Sequence, residues 1–490
     1  MIIRIPDLNK RYNNEDATYH TLLTMKCFEE NPISVHKFLP IVSLGNIEDK
    51  NISWGACIKD SQGNYFYTSF SSATFVLPYI FIKMFRLPID IYSLYFFNSI
   101  IQIASLILTI VLMSKLFSKY IEKRVIILFT TLLYLFQIEI MHSQGVIYWG
   151  HSIYQLLIVI QGLILLDFDK NNTNKIILYI MCIIMPYVEW TGFISNLAIA
   201  IILTKQNITK NKRVKLESFN EGFIVILLTT LSFVIFCTHF LLNIDINDFI
   251  YALKSRFFAR NITYNEVTFV DLLKGYLKSY KYLIILDGIL LLVVLVIKRC
   301  RRDLKRLLKE YTKIIFFFTF IMIENIIMLQ HAVSYTFDRL KLIYLLIILF
   351  FIMIICIKKN IKKEKAMIRI IGYIILGIAM LNLSMYNMGY SEYINEFTGR
   401  EKNEIISNYI KKNFNYENSI LCNNIEVRGY QNMIFKRGIY EWVRYRNTAI
   451  ENFATSRNKQ YVIYMVSKDI MNIEKAIVVD LWNNYEYEIK

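Results

Sequence analysis

Apolar runs long enough to cross a bilayer, which takes about 20 residues, recur through the middle of the chain. They cover 91–114, 125–142, 146–166, 221–242, 277–297, 314–332, 342–357 and 367–387. The connectors between them are of two kinds. Those at 115–124, 205–215, 298–313 and 358–365 are crowded with Lys and Arg. The others carry acids, His and aromatics: EDATYH ending at His20, MHSQGVIYWGHS with His142 and His151, YVEWTG around Glu189, and QHAVSYTFDRLK from Gln330 to Lys341. Basic loops stay in the cytoplasm, so the second kind faces outward.

One stretch breaks the pattern. Residues 176–204 are too long for one straight crossing and too short for two full ones. Both flanks are basic, and a single crossing would put the 298–313 loop outside. Two short helices in a hairpin keep every basic loop inside, with Glu189-Trp190-Thr191-Gly192 at the tip. Irregular backbone at such a depth must be covered by protein or line a cavity.

The same parity divides the chain into an extracytoplasmic first loop (1–90), a multi-pass membrane domain (91–388) and an extracytoplasmic α/β domain (389–490). Residues 69–85 are apolar but interrupted by Pro78 and closed by Lys83 and Arg86, which predicts an interfacial helix. In the last region Ile405, Ile406, Tyr409, Ile410 and Phe414 have helical spacing, and strand-like runs follow at 461–466 and 476–481. The predicted fold class is a mainly α, polytopic membrane protein with a small α/β extracytoplasmic domain. No apolar run precedes the outward first loop, so a first membrane helix upstream of Met1 is expected to be missing.

With 490 residues, 55% hydrophobic and only 19% charged, and a mean hydropathy of +0.38, the chain is not a soluble enzyme. The net charge of +17 is explained by the basic connectors, and nucleic-acid binding is set aside. The seven Cys lack metal-ligand spacing. Cys27, Cys57 and Cys422 fall outside, which leaves room for one disulfide. Abundant Ile, Lys, Asn and Tyr suggest an AT-rich bacterial genome.

Ionisable groups within spans are functional hypotheses by default. Glu139, Glu189, Asp287 and Glu324 all lean toward the polar loops. Four separately satisfied side chains would account for them, but the shared sidedness favours a cavity opening outward.

The N-terminal region resembles the first external loop of the GT-C glycosyltransferases, multi-pass enzymes that use polyprenyl-phosphate sugars, such as protein O-mannosyltransferases and aminoarabinose transferases. In that family an Asp-Glu pair is followed by an aromatic, then a Tyr-rich turn and an amphipathic surface helix. Here Glu15-Asp16 precedes Tyr19-His20, and Tyr65-Phe66-Tyr67-Thr68 leads into the 75–85 segment. Two departures stand out: the acidic pair is reversed, and His151 stands near the place where many relatives carry an acid.

The resemblance implies transfer of a sugar from a polyprenyl-phosphate donor to a glycan, lipid or protein acceptor in the cell envelope. Asp16 or Glu15 would deprotonate the acceptor hydroxyl, with Asp16 favoured for its shorter, more rigidly held side chain. Arg256 and Arg260, four apart, share a helix face suited to phosphate. His331, Tyr335 and Asp338 fall at helical spacing beside Arg339 and Lys341. These residues, with His20, His151, Glu189 and Glu324, form the expected substrate site. The sequence establishes no cofactor; a divalent ion on His20, His142, His151 and the acids stays open, although no HxxxH or HExxH spacing occurs. A carrier or flippase for lipid-linked intermediates, or a truncated non-catalytic relative, is the alternative.

Overall fold

The computed structural model describes residues 16–45, 50, 52, 54, 56–211, 219–261, 267–394, 398–469 and 472–489. Glu15 lies outside them, as does the side chain of Asp16. In chain order, α1 (Asp16–Glu30) and α2 (Ile33–His36) lead to a hairpin of β1 (Cys57–Lys59) and β2 (Tyr65–Tyr67), then α3 (Ala73–Met84). The helices α4 (Ile91–Phe117), α5 (Lys123–Leu135), α6 (Gly150–Leu166), α7 (Asn172–Val188), α8 (Thr191–Asn211), α9 (Asn220–Leu241) and α10 (Ile246–Arg260) follow. Next come α11 (Phe269–Val296), α12 (Lys298–Glu310), α13 (Thr312–Ile321), α14 (Ile323–Ile327), α15 (Leu329–Ser334), α16 (Leu342–Lys358) and α17 (Glu364–Ile394). The chain ends with α18 (Thr398–Asn413), β3 (Ser419–Asn423), α19 (Gly429–Phe435), α20 (Thr448–Ser456), β4 (Tyr461–Asp469), β5 (Asn472–Asp480) and β6 (Tyr485–Ile489).

These elements form two compact units. One comprises residues 1–94, 238–256 and 389–490; the other comprises 95–237 and 257–388. In the first, α1 packs on α19 through an edge-on contact of Tyr19 with Tyr430, ring centroids 4.8 Å apart. Trp54 Nε1 donates to the Val427 carbonyl at 2.6 Å. Gly45, at φ +87°, lies under the Tyr416 ring, where any Cβ would collide with it. The surface helix α3 is tied to α1 by Glu29, which accepts from Tyr79 at 2.7 Å and from Lys83 at 3.1 Å.

The C-terminal sheet has the order β3-β4-β5-β6, with β3 parallel to β4 and the other pairs antiparallel. One face buries Leu421, Ile463 and Val478 against Ile406, Ile410 and Phe414 of α18. The opposite face buries Ile420, Val462 and Val479 with Ala454 of α20. Of the five apolar positions expected to face inward on α18, Ile405 and Tyr409 are exposed. The seven cysteines are all free, so the disulfide left open for Cys27, Cys57 and Cys422 is not formed.

In the second unit the apolar pattern gives the helices, and the polar residues decide where they break. Among the described residues five helices are long and apolar enough to cross a membrane: Ile91–Phe117, Asn220–Leu241, Phe269–Val296, Thr336–Lys358 and Glu364–Asn387. The expected span at 125–142 instead ends as α5 at Leu135 and continues into a π-turn, Ile140–Gln144. The span expected at 314–332 is broken into α13, α14 and α15. Its polar residues explain the breaks: Asn325 Nδ2 donates to Tyr276 Oη at 2.6 Å and to the Asp338 carbonyl at 3.2 Å, contacts made with other segments of the chain.

The awkward 176–204 stretch does form two helices, α7 and α8, parted at Glu189 and Trp190. Pro186 near the end of α7 has no N–H, which leaves the carbonyl four residues earlier without its helical donor. That carbonyl belongs to Cys182, and Asn196 of α8 supplies the replacement through Nδ2 at 2.7 Å. Gly192 sits so close to the Met185 and Pro186 backbone that a Cβ would overlap it. Gly192→Ala is therefore expected to destabilise the protein by about 1–3 kcal/mol, the usual cost of overpacking, seen as a lower midpoint of thermal unfolding in detergent. An unchanged midpoint would mean that the two helices do not meet this closely.

Candidate functional site

Inside the second unit, Asp338 sits wholly buried between two imidazoles. His151 Nε2 lies 2.6 Å from its Oδ1, and His331 Nδ1 donates to its Oδ2 in a short contact. The rings of His151 and His331 are 6.3 Å apart and nearly parallel, with Phe337 against the former at 4.7 Å. A carboxylate shared in this way fixes the orientation of both rings and the nitrogens that carry protons. Glu189, at the α7–α8 junction, reaches within 3.8 Å of the same His151 Nε2. Its other oxygen, Oε2, is buried without a hydrogen-bond partner among the described residues.

Two further ion pairs complete this group. Lys341 is paired with Glu324, both buried. Arg339 donates through Nε to Ser279 Oγ at 3.1 Å and through Nη1 to the Ala332 and Val333 carbonyls at 3.3 Å each. Its Nη2 stands 3.7 Å from Glu139. Glu139 in turn accepts from Ser279 at 2.5 Å and from Ser143. The helix α11 departs from helical geometry at Tyr280 (φ −132°, ψ 23°), where the phenol donates to the Arg339 and Leu340 carbonyls at 3.0 and 3.3 Å.

His331, Tyr335 and Asp338 do meet, but not as one helical face. The helix α15 stops at Ser334 and Tyr335 is extended (φ −112°, ψ 121°) before a short 3-10 turn. The chain bends back so that Asp338 reaches His331, while Tyr335 lies with its ring 4.5 Å from the same imidazole. The four acids expected to share a cavity also separate: Glu189 and Glu324 lie in this group and Glu139 on its Arg339 side. Asp287 is buried elsewhere, with neither oxygen hydrogen-bonded within the described residues.

A second set of sequence-selected residues comes together in the first unit. His20, one turn beyond Asp16 on α1, is enclosed by the rings of Trp54, Tyr67 and Phe75 at 5.0, 4.3 and 5.7 Å. Burial first, and the Arg256 charge second, lower its pKa to about 3, so this imidazole is neutral at physiological pH. Arg256 of α10 donates through Nε to Ser69 Oγ at 3.2 Å, which fixes the plane of its guanidinium. Arg260, at the end of the same helix, belongs to the second unit and not to this set. Ser69, Ser143 and Ser279 are not legible as site residues in the sequence, because a serine beside an apolar run carries no signal of what it will hold.

Among the described residues no group of three or more His, Cys, Asp or Glu is arranged to hold a metal ion. His20 and His151 belong to the two different sets, and His142 faces the ring of Tyr386 at 6.5 Å.

No protein-family model and no curated protein matches the chain. Solved structures do. ArnT from Cupriavidus metallidurans bound to undecaprenyl phosphate aligns with a TM-score of 0.58, over 96% of this chain and 91% of that one, at 9% identity. The same protein in the apo state aligns with a TM-score of 0.50 over the same shares, at 8% identity. The apo oligosaccharyltransferase of Archaeoglobus fulgidus reaches only 0.49, over 92% of this chain and 66% of that one, too little to argue from. The chain thus shares the fold of ArnT.

Proposed function

We propose that this protein is a membrane glycosyltransferase that moves a sugar from a polyprenyl-phosphate donor to a hydroxyl of a glycan, lipid or protein acceptor outside the cytoplasm. The observation that carries this is the likeness over 96% of the chain to a protein crystallised with undecaprenyl phosphate. The acid at the start of α1 and the cations of α10 agree with it. A carboxylate at Asp16 or Glu15 takes the acceptor's proton as its oxygen attacks the anomeric carbon, and the polyprenyl phosphate departs from the opposite side with inversion. Arg256 and Arg260, one turn apart on α10, stabilise the departing phosphate.

Asp16 and His20 are four apart on α1, hence on one side of the helix. In the second unit Arg339 and Lys341 already hold Glu139 and Glu324, so their roles there are positional. Glu189 and His331 retain capacity for sugar hydroxyls, and Tyr335 offers His331 a ring wall.

Three outcomes test this. Asp16→Asn should lower turnover about 10²–10⁴-fold, the usual contribution of a general base, with donor binding retained and a smaller effect from Glu15→Gln. The reverse order would make Glu15 the base; full activity in both variants would remove the mechanism. Arg256→Gln should weaken binding of a polyprenyl-phosphate sugar roughly ten- to hundredfold, the equivalent of about 1–3 kcal/mol. Arg256→Lys should restore only part, because an ammonium lacks the guanidinium fork.

The third concerns pH. Between about 6.5 and about 3 the unfolded chain binds a proton at His20 that the folded chain excludes. Stability supplied by this site is therefore complete above about 6.5 and is lost as pH falls through that window, by up to about 1.4 kcal/mol per pH unit. His20→Phe should flatten the dependence of the unfolding midpoint on pH between 6.5 and 4. An unchanged slope would show that the ring is protonated in the folded protein.

A further inference from the structure

The most basic stretch of the chain is α12, with seven Lys or Arg in 13 residues (KRCRRDLKRLLKE). Its only two acids are turned to other segments rather than to its own cations alone. Asp303 accepts from Asn360, in the connector between α16 and α17, at 3.0 Å, and pairs with Arg306 at 2.8 Å. Glu310 pairs with Lys119 and accepts from Tyr120 Oη at 3.0 Å, both in the connector between α4 and α5. Those two connectors are also joined directly: Lys358 donates to the Tyr120 carbonyl at 2.8 Å, and the Lys359 ammonium lies 4.1 Å from the centre of the Tyr120 ring. Cys300 and Leu307 bury the inner side of α12, the former donating to the Cys356 carbonyl at 3.3 Å.

Three basic segments far apart in sequence thus meet in one place, and the acids that join them are consumed in doing so. Lys298, Arg299, Arg301, Arg302, Lys305 and Lys309 are exposed, and their side chains make no hydrogen bond or ion pair among the described residues. Like charges at this density repel one another unless an anion is shared among them. The segments cap the ends of α4, α11, α16 and α17, which belong to four stretches long and apolar enough to cross a bilayer, that of α16 beginning at Thr336. The anions within reach of helix ends are lipid headgroups, and clusters of four to eight Lys or Arg at such ends suit anionic ones.

We propose that this basic face is a binding surface for anionic phospholipid headgroups, held in shape by Asp303, Glu310 and Tyr120. It lies apart from the residues given roles in sugar transfer and does not depend on them. The face gathers several phosphates at once, so retention should depend on the number of cations present and fall as salt is raised.

The test uses the full chain in nanodiscs of phosphatidylcholine with and without phosphatidylglycerol. Native mass spectrometry should find phosphatidylglycerol retained over phosphatidylcholine by at least fivefold, and phosphatidylglycerol should raise the unfolding midpoint. In Arg301→Gln/Arg302→Gln/Lys305→Gln both preferences should fall by more than half, while the midpoint in phosphatidylcholine alone stays unchanged. If that variant inserts poorly, Lys362→Gln/Lys363→Gln, on the neighbouring connector, should give a smaller loss in the same direction. Equal retention of the two lipids by the unaltered protein would overturn the proposal, as would a preference untouched in both variants. So would binding of a single-stranded oligonucleotide that phosphatidylglycerol does not displace, since the face would then serve a soluble polyanion.

Discussion

Charge buried among apolar helices is the constraint on which the second unit is built. Taking an ion out of water costs several kcal/mol even after relaxation, and removing one partner of a buried pair costs about 3–5 kcal/mol. Glu139, Glu324, Asp338, Arg339 and Lys341 are all buried, so each must find a counter-charge or donors from another segment. Lys341 finds Glu324, Arg339 finds Glu139 through Ser279, and Asp338 finds two imidazoles. The helices comply. A regular helix through 314–339 would carry Glu324 and Asn325 to wherever its pitch dictated. Breaks after α13 and α14, the extended Tyr335 and the kink at Tyr280 put them where their partners are.

The hairpin of α7 and α8 follows a related rule for backbone groups. An unsatisfied carbonyl in an apolar setting is costly, and Pro186 creates one at Cys182. Asn196 removes that cost from the neighbouring helix, and Gly192 allows the close approach this requires. The junction so formed presents Glu189 to His151. A proline, a glycine and an asparagine, none of them chemically active, together place an acid whose Oε2 has no donor among the described residues.

The first unit meets the same problem by excluding charge. His20 is wrapped in aromatic rings beside a cation, and its proton is lost rather than paired. The helix carrying Asp16 is in turn held on α19 of the C-terminal sheet domain through Tyr19 and Tyr430. Residues more than four hundred positions apart therefore steady the element on which the proposed base stands.

The sequence by itself determined the helical class, most of the apolar helices, the pairing of 176–204 into two helices and the α/β character of the tail. These rest on hydrophobic run length, basic connectors and short-range periodicity, which are local properties of the chain. It also picked out His151, Glu189, Glu324, His331 and Arg339, because ionisable groups stand out against apolar surroundings. Only the tertiary structure decided their partners: that Asp338 is shared by two histidines, that Arg339 holds Glu139, that Asp287 stands apart, and that Cys27, Cys57 and Cys422 stay free. It also brought α12 to the connectors at Lys119 and Lys358. Partner choice depends on which side chains a bend or a missing N–H brings within about 3 Å, and no pattern along a single chain records that distance.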